Sequence, residues 1–238
     1  MFRRIKRFLY NCTHPVIGEV WMLHRVRESL SSDANLRIYE ITPTRLLSLI
    51  TDYLKNGCEF VSMDDVYEFV SGQKRCKSKF IAITLDDGYE DNYSVAYPIF
   101  KKYNIPFCVY VAQSYITGEK RSSEIVDFKM LSLDQLKALS EEPLCTLGGH
   151  TKSHCRLSKL SKDQQIDEIV SGKEWLGHII DKPVFHFAFP YGDYNKNSID
   201  IMKECGIQCS VAAWGGGVRV SENVYEVPRV LVTEDKIE

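Results

Sequence analysis

Short apolar runs typical of β-strands alternate along the chain with longer segments in which apolar residues recur at helical spacing. Eight such runs predict strands: 16–26, 60–61, 80–85, 106–112, 144–147, 184–189, 208–213 and 227–232. Strands that alternate with helices predict βαβ units and therefore a parallel sheet. With eight strands, the pattern predicts an α/β fold: a (β/α) barrel, or a distorted variant of one, in a single domain.

Capping residues mark the start of several predicted helices. Ser62 followed by Asp65, and Ser161 followed by Gln164, have the spacing of a capping box, in which side chains satisfy the first backbone N–H groups of a helix. They predict helices that begin after Ser62 and after Ser161. Two stretches show neither a helical nor a strand period and are predicted to be loops over one end of the barrel: 113–130 and 214–226.

Composition and charge exclude two classes of protein. The chain has 238 residues, of which 44% are hydrophobic and 26% charged, as in an ordinary globular domain. Its 30 basic and 32 acidic residues leave a net charge of −2, so no basic field attracts the phosphates of a nucleic acid, and we expect no nucleic acid partner. The 8 cysteines form no CxxC pair and are too sparse for a disulfide scaffold, which predicts free thiols in a reducing compartment.

Residues 1–15 form a basic segment ahead of the predicted domain, residues 16–238. No apolar stretch of signal-peptide length follows the basic residues, so we expect the protein to be cytoplasmic. Within positions 2–9, apolar residues fall at helical spacing between arginines and lysines. Two interpretations are open: peripheral contact with the anionic inner face of the membrane, or a solvated, charged helix end. No apolar run in the sequence reaches the roughly 18 residues that a membrane-spanning helix needs.

Ionisable residues follow two of the predicted strands, at the ends where parallel barrels carry their sites. Asp86 and Asp87 follow one strand, and His150 and His154 follow another. An Asp-Asp-Gly turn or a single HxxxH is common without any function. The two histidines point the same way if their segment forms a helical turn. Together, two imidazoles and one carboxylate make a three-ligand set that leaves open positions on Zn²⁺ or a similar ion, and the second carboxylate is then free to act as a base.

Three segments resemble the motifs of the polysaccharide deacetylases, the NodB-homology enzymes (carbohydrate esterase family 4-like) that remove N-acetyl, or sometimes O-acetyl, groups from sugars. Thr84–Gly88 (TLDDG) resembles the T-F-D-D-G motif, with Leu85 in place of phenylalanine. His150–His154 (HTKSH) resembles H-[ST]-x-x-H, and Phe189–Gly192 (FPYG) is similar to the third motif. The three segments occur in the family's order.

The resemblance implies a distorted (β/α) barrel and assigns roles to five residues. Asp86 is the catalytic base, and Asp87, His150 and His154 hold the metal. The backbone N–H of Tyr191 helps to form the oxyanion hole. The implied cofactor is a divalent ion, with zinc favoured and cobalt, nickel or manganese as alternatives, and the implied partner is an acetylated sugar or glycan.

The first departure from the family pattern concerns the general acid. Many members carry a histidine near the C-terminus, whereas the last histidine here is His186. The segment Trp21–Val26 resembles a [YF]-H-x-V segment found near the start of members whose motif order is circularly permuted. The resemblance therefore makes His24 the general acid, and the alternative is a structural histidine at a strand end.

The second departure lies in the third motif, where Ala188 stands in the place of the usual arginine. An alanine cannot pair with the catalytic base. Arg229 follows a proline on the last predicted strand, from which it is placed to reach Asp86 and to keep that carboxylate ionised and oriented. The alternative is an arginine on the surface.

The chain is therefore predicted to be a metal-dependent hydrolase that removes N-acetyl groups from an N-acetylated sugar or glycan. Amide hydrolysis requires an activated water and a polarised carbonyl, and a divalent ion provides both because it lowers the pKa of bound water and polarises the carbonyl. Two alternatives stay open: an O-acetyl esterase or deformylase acting on a lipid- or nucleotide-linked sugar, and a non-catalytic carbohydrate-binding barrel. The predicted cytoplasmic location favours a cytoplasmic or inner-leaflet precursor as the substrate.

Overall fold

The computed structural model describes residues 15–119, 128–213, 215–220 and 223–235. These residues form the following strands: β1 Val16–Leu23, β2 Arg25–Val26, β3 Glu40–Ile41, β4 Glu59–Phe60, β5 Phe80–Leu85, β6 Phe107–Val111, β7 Cys145–Gly149, β8 His186–Ala188, β9 Cys209–Val211, β10 Val218–Arg219 and β11 Val230–Leu231. They also form the following α-helices: α1 Ala34–Arg37, α2 Pro43–Lys55, α3 Met63–Ser71, α4 Tyr97–Lys102, α5 Gln113–Thr117, α6 Leu133–Ser140, α7 Lys162–Ile166, α8 Gly172–Ile180 and α9 Lys196–Glu204. Two π-helical turns, Asn92–Ala96 and Asp167–Ser171, lead into α4 and α8.

Nine of these strands form one curled sheet in the order β10-β1-β5-β6-β7-β8-β9, with β11 on β1 and β4 on β5. Every pair is parallel except β1 with β10. The predicted distorted (β/α) barrel is therefore confirmed. A separate two-stranded sheet pairs β2 with β3 just beyond the carboxyl end of β1.

Both faces of the central strands are buried, because α3 packs in the cluster on one face and other helices pack in the cluster on the opposite face. In β5, Ile81 and Ile83 face the outer cluster, which includes residues of α2, α4 and α6. Phe80 and Ala82 face the inner cluster, which contains the apolar side of α3. Successive side chains of a strand point to opposite faces, so Asp86 continues the inner face beyond Ala82 and projects into the open end of the barrel.

A glycine allows β7 to pass close to the inner aromatic residues. A Cβ on Gly148 would lie 2.5 Å from the ring of Tyr110 and 2.9 Å from the carbonyl oxygen of His186. The alignment of β7 with β6 and β8, which brings the segment after Gly149 to the carboxyl end of the sheet, therefore depends on the missing side chain.

The capping predictions are confirmed, and the loop predictions need correction. Ser62 with Asp65 and Ser161 with Gln164 form complete capping boxes. The stretches 113–130 and 214–226, predicted as loops, contain α5 and β10 respectively. Each of these elements has five residues or fewer, too few to show a helical or strand period.

Positions 2–9, for which a membrane-surface helix was one interpretation, lie outside the described residues. Within the described part of the chain, no helix combines the length and apolarity needed to cross a membrane. The division into a basic segment at 1–15 and a domain at 16–238 stays a prediction.

Candidate metal centre and catalytic site

The site lies at the carboxyl edge of the curled sheet, where β5 ends. The backbone N–H of Asp86 donates to the carbonyl of Leu23, 2.9 Å away, which continues the ladder between β1 and β5. The chain then turns sharply, with φ values of 75° at Asp87 and 81° at Gly88. A left-handed φ is uncommon for a residue with a side chain, and it often marks a functional position. Asp86 and Asp87 are both buried.

The segment from His150 to His154 does not form the helical turn that was one way to point both histidines in the same direction. It is a bend in which Thr151 and His154 have φ values of 64° and 51°. The backbone groups bond to neighbouring elements instead: Ser114 N–H donates to the carbonyl of Lys152, and Lys152 N–H donates to the carbonyl of Glu168, each over 2.8 Å. Tertiary hydrogen bonds therefore replace the helical i to i−4 pattern on which the prediction relied.

The bend still brings both imidazoles to Asp87. Nε2 of His150 and Nε2 of His154 lie 3.5 and 3.2 Å from Oδ1 of Asp87. One ligand atom from each of the three residues lies within 4.8 Å of the other two. All three residues are buried. The three ligands predicted from the sequence thus converge at a single point.

Hydrogen bonds at the far side of each ring fix the orientation of the imidazoles. Nδ1 of His150 lies 2.7 Å from the carbonyl oxygen of Ala188. A carbonyl only accepts, so this nitrogen carries the hydrogen, and Nε2 of the neutral ring presents a lone pair to Asp87. Nδ1 of His154 lies 2.9 Å from the hydroxyl of Tyr115. Such a bond at the other ring nitrogen is the usual support of a metal-binding histidine.

These residues fit a divalent cation. Oδ1 of Asp87 is buried and makes no hydrogen bond to the described residues, while the lone pair of His150 faces it. Two lone pairs directed at each other are unfavourable unless a positive charge lies between them. Two nitrogens and a carboxylate oxygen are also the ligand set of open zinc sites in hydrolases.

The ionisation states agree with this fit. Burial favours the neutral form of Asp87, but His154 and His150 outweigh it and hold the pKa of Asp87 far below its usual range. Burial lowers the pKa of His154 to about 4, so this ring is neutral and able to ligate at neutral pH. At His150 the carboxylates of Asp87 and Asp86 outweigh burial and raise the pKa. A cation and a proton would therefore compete for Nε2 of His150.

Asp86 faces a different partner, Arg229. Nη1 and Nη2 of Arg229 donate to the two carboxylate oxygens of Asp86, each over 2.7 Å. Two further bonds hold the guanidinium, from Nη1 to Thr84 Oγ1 at 3.0 Å and from Nε to the Ala212 carbonyl at 2.7 Å. Arg229 is 1% exposed, so the surface-arginine alternative is wrong. Burial raises the pKa of Asp86, but Arg229 and His150 outweigh it, and the net pKa is lowered.

The structure also places His24 at this edge, one residue beyond β1. Its carbonyl accepts a hydrogen bond from Nδ2 of Asn92 at 2.8 Å, and its ring centroid lies 4.8 Å from that of Tyr39. Nδ1 of His24 is buried and has no hydrogen-bond partner within the described ranges of the chain. Burial lowers the pKa of His24, while the charges of Asp86 and Asp87 oppose the shift. The charges of both carboxylates therefore act on the imidazole of His24.

Tyr191 lies at the mouth of the site. It belongs to a 3₁₀ turn, Pro190–Gly192, in which its φ is 58°. Its ring is 37% exposed and its centroid is 4.7 Å from that of His154. The guanidinium of Arg156 lies 4.2 Å from the ring centroid. The ring of Tyr191 is therefore next to His154, and the role of its backbone N–H in an oxyanion hole stays a prediction.

Two residues of the site were missed from the sequence. Tyr115, which orients His154, lies in a short helix inside a stretch predicted to be a loop, and no local pattern indicates it. Asn92, which holds the carbonyl of His24, lies in the first helical turn after the Asp-Asp-Gly segment. Its burial is known only from the structure, and the sequence signal that was available is its position four residues after the Asp-Asp-Gly segment.

A curled parallel sheet with two carboxylates and two histidines at its carboxyl edge defines a barrel hydrolase with a candidate metal centre. The model of the polysaccharide deacetylase family matches residues 73–210, which is more than half of the chain, and the chain belongs to this family. The predicted family and the predicted class of enzyme, a deacetylase-type hydrolase, are therefore confirmed. His24 and Arg229 lie outside the matched residues.

Individual relatives agree with the family. The poly-β-1,6-N-acetyl-D-glucosamine N-deacetylase of Staphylococcus aureus (strain MRSA252) is 26% identical over 234 residues, which cover 90% of this chain and 78% of the relative. The structure of IcaB from Ammonifex degensii has a TM-score of 0.78 and 26% identity, covering 92% of this chain and 93% of that one. The Streptococcus pyogenes deacetylase PplD, in complex with acetate, has a TM-score of 0.79, 24% identity and the same coverage, and it shows the shared fold.

Proposed function

We propose that the protein is a divalent-metal-dependent N-deacetylase that hydrolyses the acetamido group of an N-acetylhexosamine unit in a glycan. The observation that carries the proposal is the convergence of Asp87, His150 and His154 beside a second, separately held carboxylate, Asp86. Asp87, His150 and His154 would hold the ion, and zinc is favoured over cobalt, nickel and manganese by two nitrogens and one oxygen. When bound, the ion supplies polarisation of the acyl carbonyl and a lower pKa for water.

Asp86 is assigned the role of general base. Both of its oxygens accept from Arg229, and each oxygen keeps a lone pair for the proton of the attacking water. Because Arg229 keeps Asp86 ionised despite burial, the carboxylate is in the form that accepts a proton at neutral pH. Arg229 thereby fills the place of the arginine that the third motif lacks at Ala188.

His24 and Tyr191 are assigned the two remaining roles. The amine leaves only if it receives a proton, and the protonated imidazole of His24 supplies it. Burial lowers the pKa of His24, which makes its protonated form a stronger donor and reduces the protonated fraction at neutral pH. The backbone N–H of Tyr191 stabilises the negative charge that develops on the acyl oxygen.

The names of the relatives support the substrate class. The Staphylococcus aureus relative is named for poly-β-1,6-N-acetyl-D-glucosamine, and the polymer is our first choice of substrate class for this chain as well. The non-catalytic alternative rested on the missing histidine and arginine. Arg229 pairs with Asp86, and the charges of Asp86 and Asp87 act on His24, which supports a catalytic role over a purely binding one.

Release of acetate tests the proposal. The metal-loaded protein is incubated with N-acetylglucosamine oligosaccharides and with O-acetylated and N-formylated counterparts. We expect acetate from the N-acetylated oligosaccharides and a loss of about 100-fold or more in Asp86→Asn. Turnover of only the O-acetylated or N-formylated compounds would favour the esterase or deformylase. Metal binding without turnover of any of them would favour the binding barrel.

A further inference from the structure

We propose that a pocket beside the catalytic site binds the ammonium group of an amino sugar, a glycan unit that has already lost its acetyl group, and that Glu226 is the residue that binds it. The inference rests on the proposed function, because that reaction produces the amine. It extends the site from the unit being hydrolysed to a neighbouring unit of the chain.

The pocket is lined by residues that neighbour the catalytic residues in sequence or bond to them. It has a volume of about 670 Å³, within the range of roughly 300–1,000 Å³ that is usual for small-molecule sites. Gly192, Ala212 and Pro228 form part of its wall. Gly192 follows Tyr191 in the same turn, and the carbonyl of Ala212 accepts from Arg229. Gly192 and Ala212 follow β8 and β9, so the pocket opens at the same carboxyl edge of the sheet as Asp86, and a neighbouring unit of a bound glycan is its proposed occupant.

Glu226, another lining residue of the pocket, is held in place by two hydrogen bonds. The hydroxyl of Tyr194 donates to Oε1 of Glu226 at 2.9 Å, and the amide nitrogen of Asn223 donates to the other oxygen. The ring of Tyr194 stacks on buried Phe189, with centroids 4.4 Å apart and an interplanar angle of 27°. Because Glu226 is already oriented, binding a ligand there costs little side-chain entropy.

The charge of Glu226 determines what the pocket prefers. Among the described residues that line the pocket, Glu226 is the one charged side chain. It is exposed, and no lysine or arginine in the described ranges forms an ion pair with it. Its two hydrogen bonds come from neutral groups, so its negative charge has no counterion in the part of the chain that the structure describes. A ligand with a single positive charge and several N–H donors matches this carboxylate, which is the description of an alkylammonium group.

The proposed reaction makes such a ligand. Hydrolysis breaks the bond between the acetyl carbon and the nitrogen, the oxygen of water becomes part of acetate, and the nitrogen leaves as an amine. Simple amines of this kind are largely protonated at neutral pH and below. The product therefore carries a positive charge where the substrate carried a neutral amide. We expect the enzyme to act preferentially beside a unit that it has already deacetylated, and to leave amino units in clusters along the glycan.

Binding measurements test the pocket without requiring turnover. Isothermal titration at about pH 6, where the amine is protonated, compares a glucosamine tetrasaccharide with an N-acetylglucosamine tetrasaccharide. We expect Glu226→Gln to weaken binding of the amino tetrasaccharide about tenfold and to leave binding of the N-acetylated one unchanged. Glu204→Gln is the matched control, since it removes an equal charge from an exposed side chain at the end of α9. The difference should shrink at high salt.

Two results would overturn the inference. One is binding of the amino tetrasaccharide that Glu226→Gln leaves unchanged. The other is an equal loss for both tetrasaccharides, which would make the pocket a site for neutral sugars. Acetate release from the fully N-acetylated tetrasaccharide is measured in parallel. If wild type releases none while the amino tetrasaccharide binds through Glu226, the proposed function fails and the amino-sugar pocket stands.

Discussion

Replacing Arg229 with methionine keeps much of the side-chain volume and removes the charge that faces Asp86. In the native protein both residues are buried, and two hydrogen bonds of 2.7 Å join them. The variant leaves the carboxylate of Asp86 buried without its main counterion. It also leaves the carbonyl of Ala212 and the hydroxyl of Thr84 without the donors that they have in the native protein.

Removing one partner of a buried ion pair costs about 3–5 kcal/mol of unfolding free energy. For a chain of this size each kcal/mol lowers the melting temperature by about 2–4 °C, so Arg229→Met should melt about 6–20 °C below wild type. Arg37 is a matched control, because its pair with Asp235 is exposed and its closest N···O distance is 3.7 Å. Arg37→Met should change stability by less than about 1 kcal/mol.

The loss should depend on pH. In wild type the pKa of Asp86 is lowered on folding, so its contribution to stability is present above the unfolded pKa and is lost as pH falls through the folded pKa. In Arg229→Met, burial without the guanidinium raises that pKa, so ionised Asp86 destabilises the fold at neutral pH. The difference between the two proteins should therefore narrow as pH falls toward 4, and it should close only below the lowered pKa that Asp86 has in folded wild type. Urea unfolding of both proteins at pH 7 and pH 4 gives the comparison. An equal loss at both pH values would refute the reasoning.

Two further predictions concern single residues. His24→Gln should lower the deacetylation rate by about 10²–10⁴-fold while metal content and melting temperature are retained. His178→Gln, at an exposed helix position, is the control and should not change the rate. If His24→Gln deacetylates as fast as wild type, His24 is not the general acid. Gly148→Ala should lower the unfolding free energy by about 1–3 kcal/mol, because the added Cβ would lie 2.5 Å from the ring of Tyr110. The measurement is urea unfolding, in which the midpoint should fall while the slope stays unchanged. An unchanged urea midpoint would contradict this prediction and show that Tyr110 can move to make room for the added methyl group.

The strands and the capped helices could be predicted because their signals are local. The run Phe80–Leu85 and the capping box at Ser62 are both visible within a few residues, and both appear in the structure. The elements β3 and α1 have two and four residues, which is too short for a period to show. Long-range contacts decide such short elements: β3 pairs with β2, and buried Glu40 within it holds Arg25.

The identities of the site residues could be predicted from the sequence, but their arrangement in space could be predicted only in part. The motifs identified Asp87 and both histidines, but the bend at His150–His154 depends on hydrogen bonds to Ser114 and Glu168, which no local pattern reveals. The contact between Arg229 and Asp86 spans 143 positions. It was anticipated because Ala188 leaves the third motif without its arginine, so the missing charge had to come from elsewhere. The cytoplasmic location and the contact of residues 2–9 with a membrane stay predictions.

The central claim is that Asp87, His150 and His154 together hold one divalent ion, and metal analysis tests it most directly. Protein purified without chelator should contain about one ion per chain, and Asp87→Ala, His150→Ala and His154→Ala should each lose most of it. Removal of the ion should lower the melting temperature of wild type, and zinc should restore it, because a ligand that binds only the folded state stabilises it. Protein that holds no ion, and whose melting temperature does not respond to zinc, cobalt, nickel or manganese, would contradict the account.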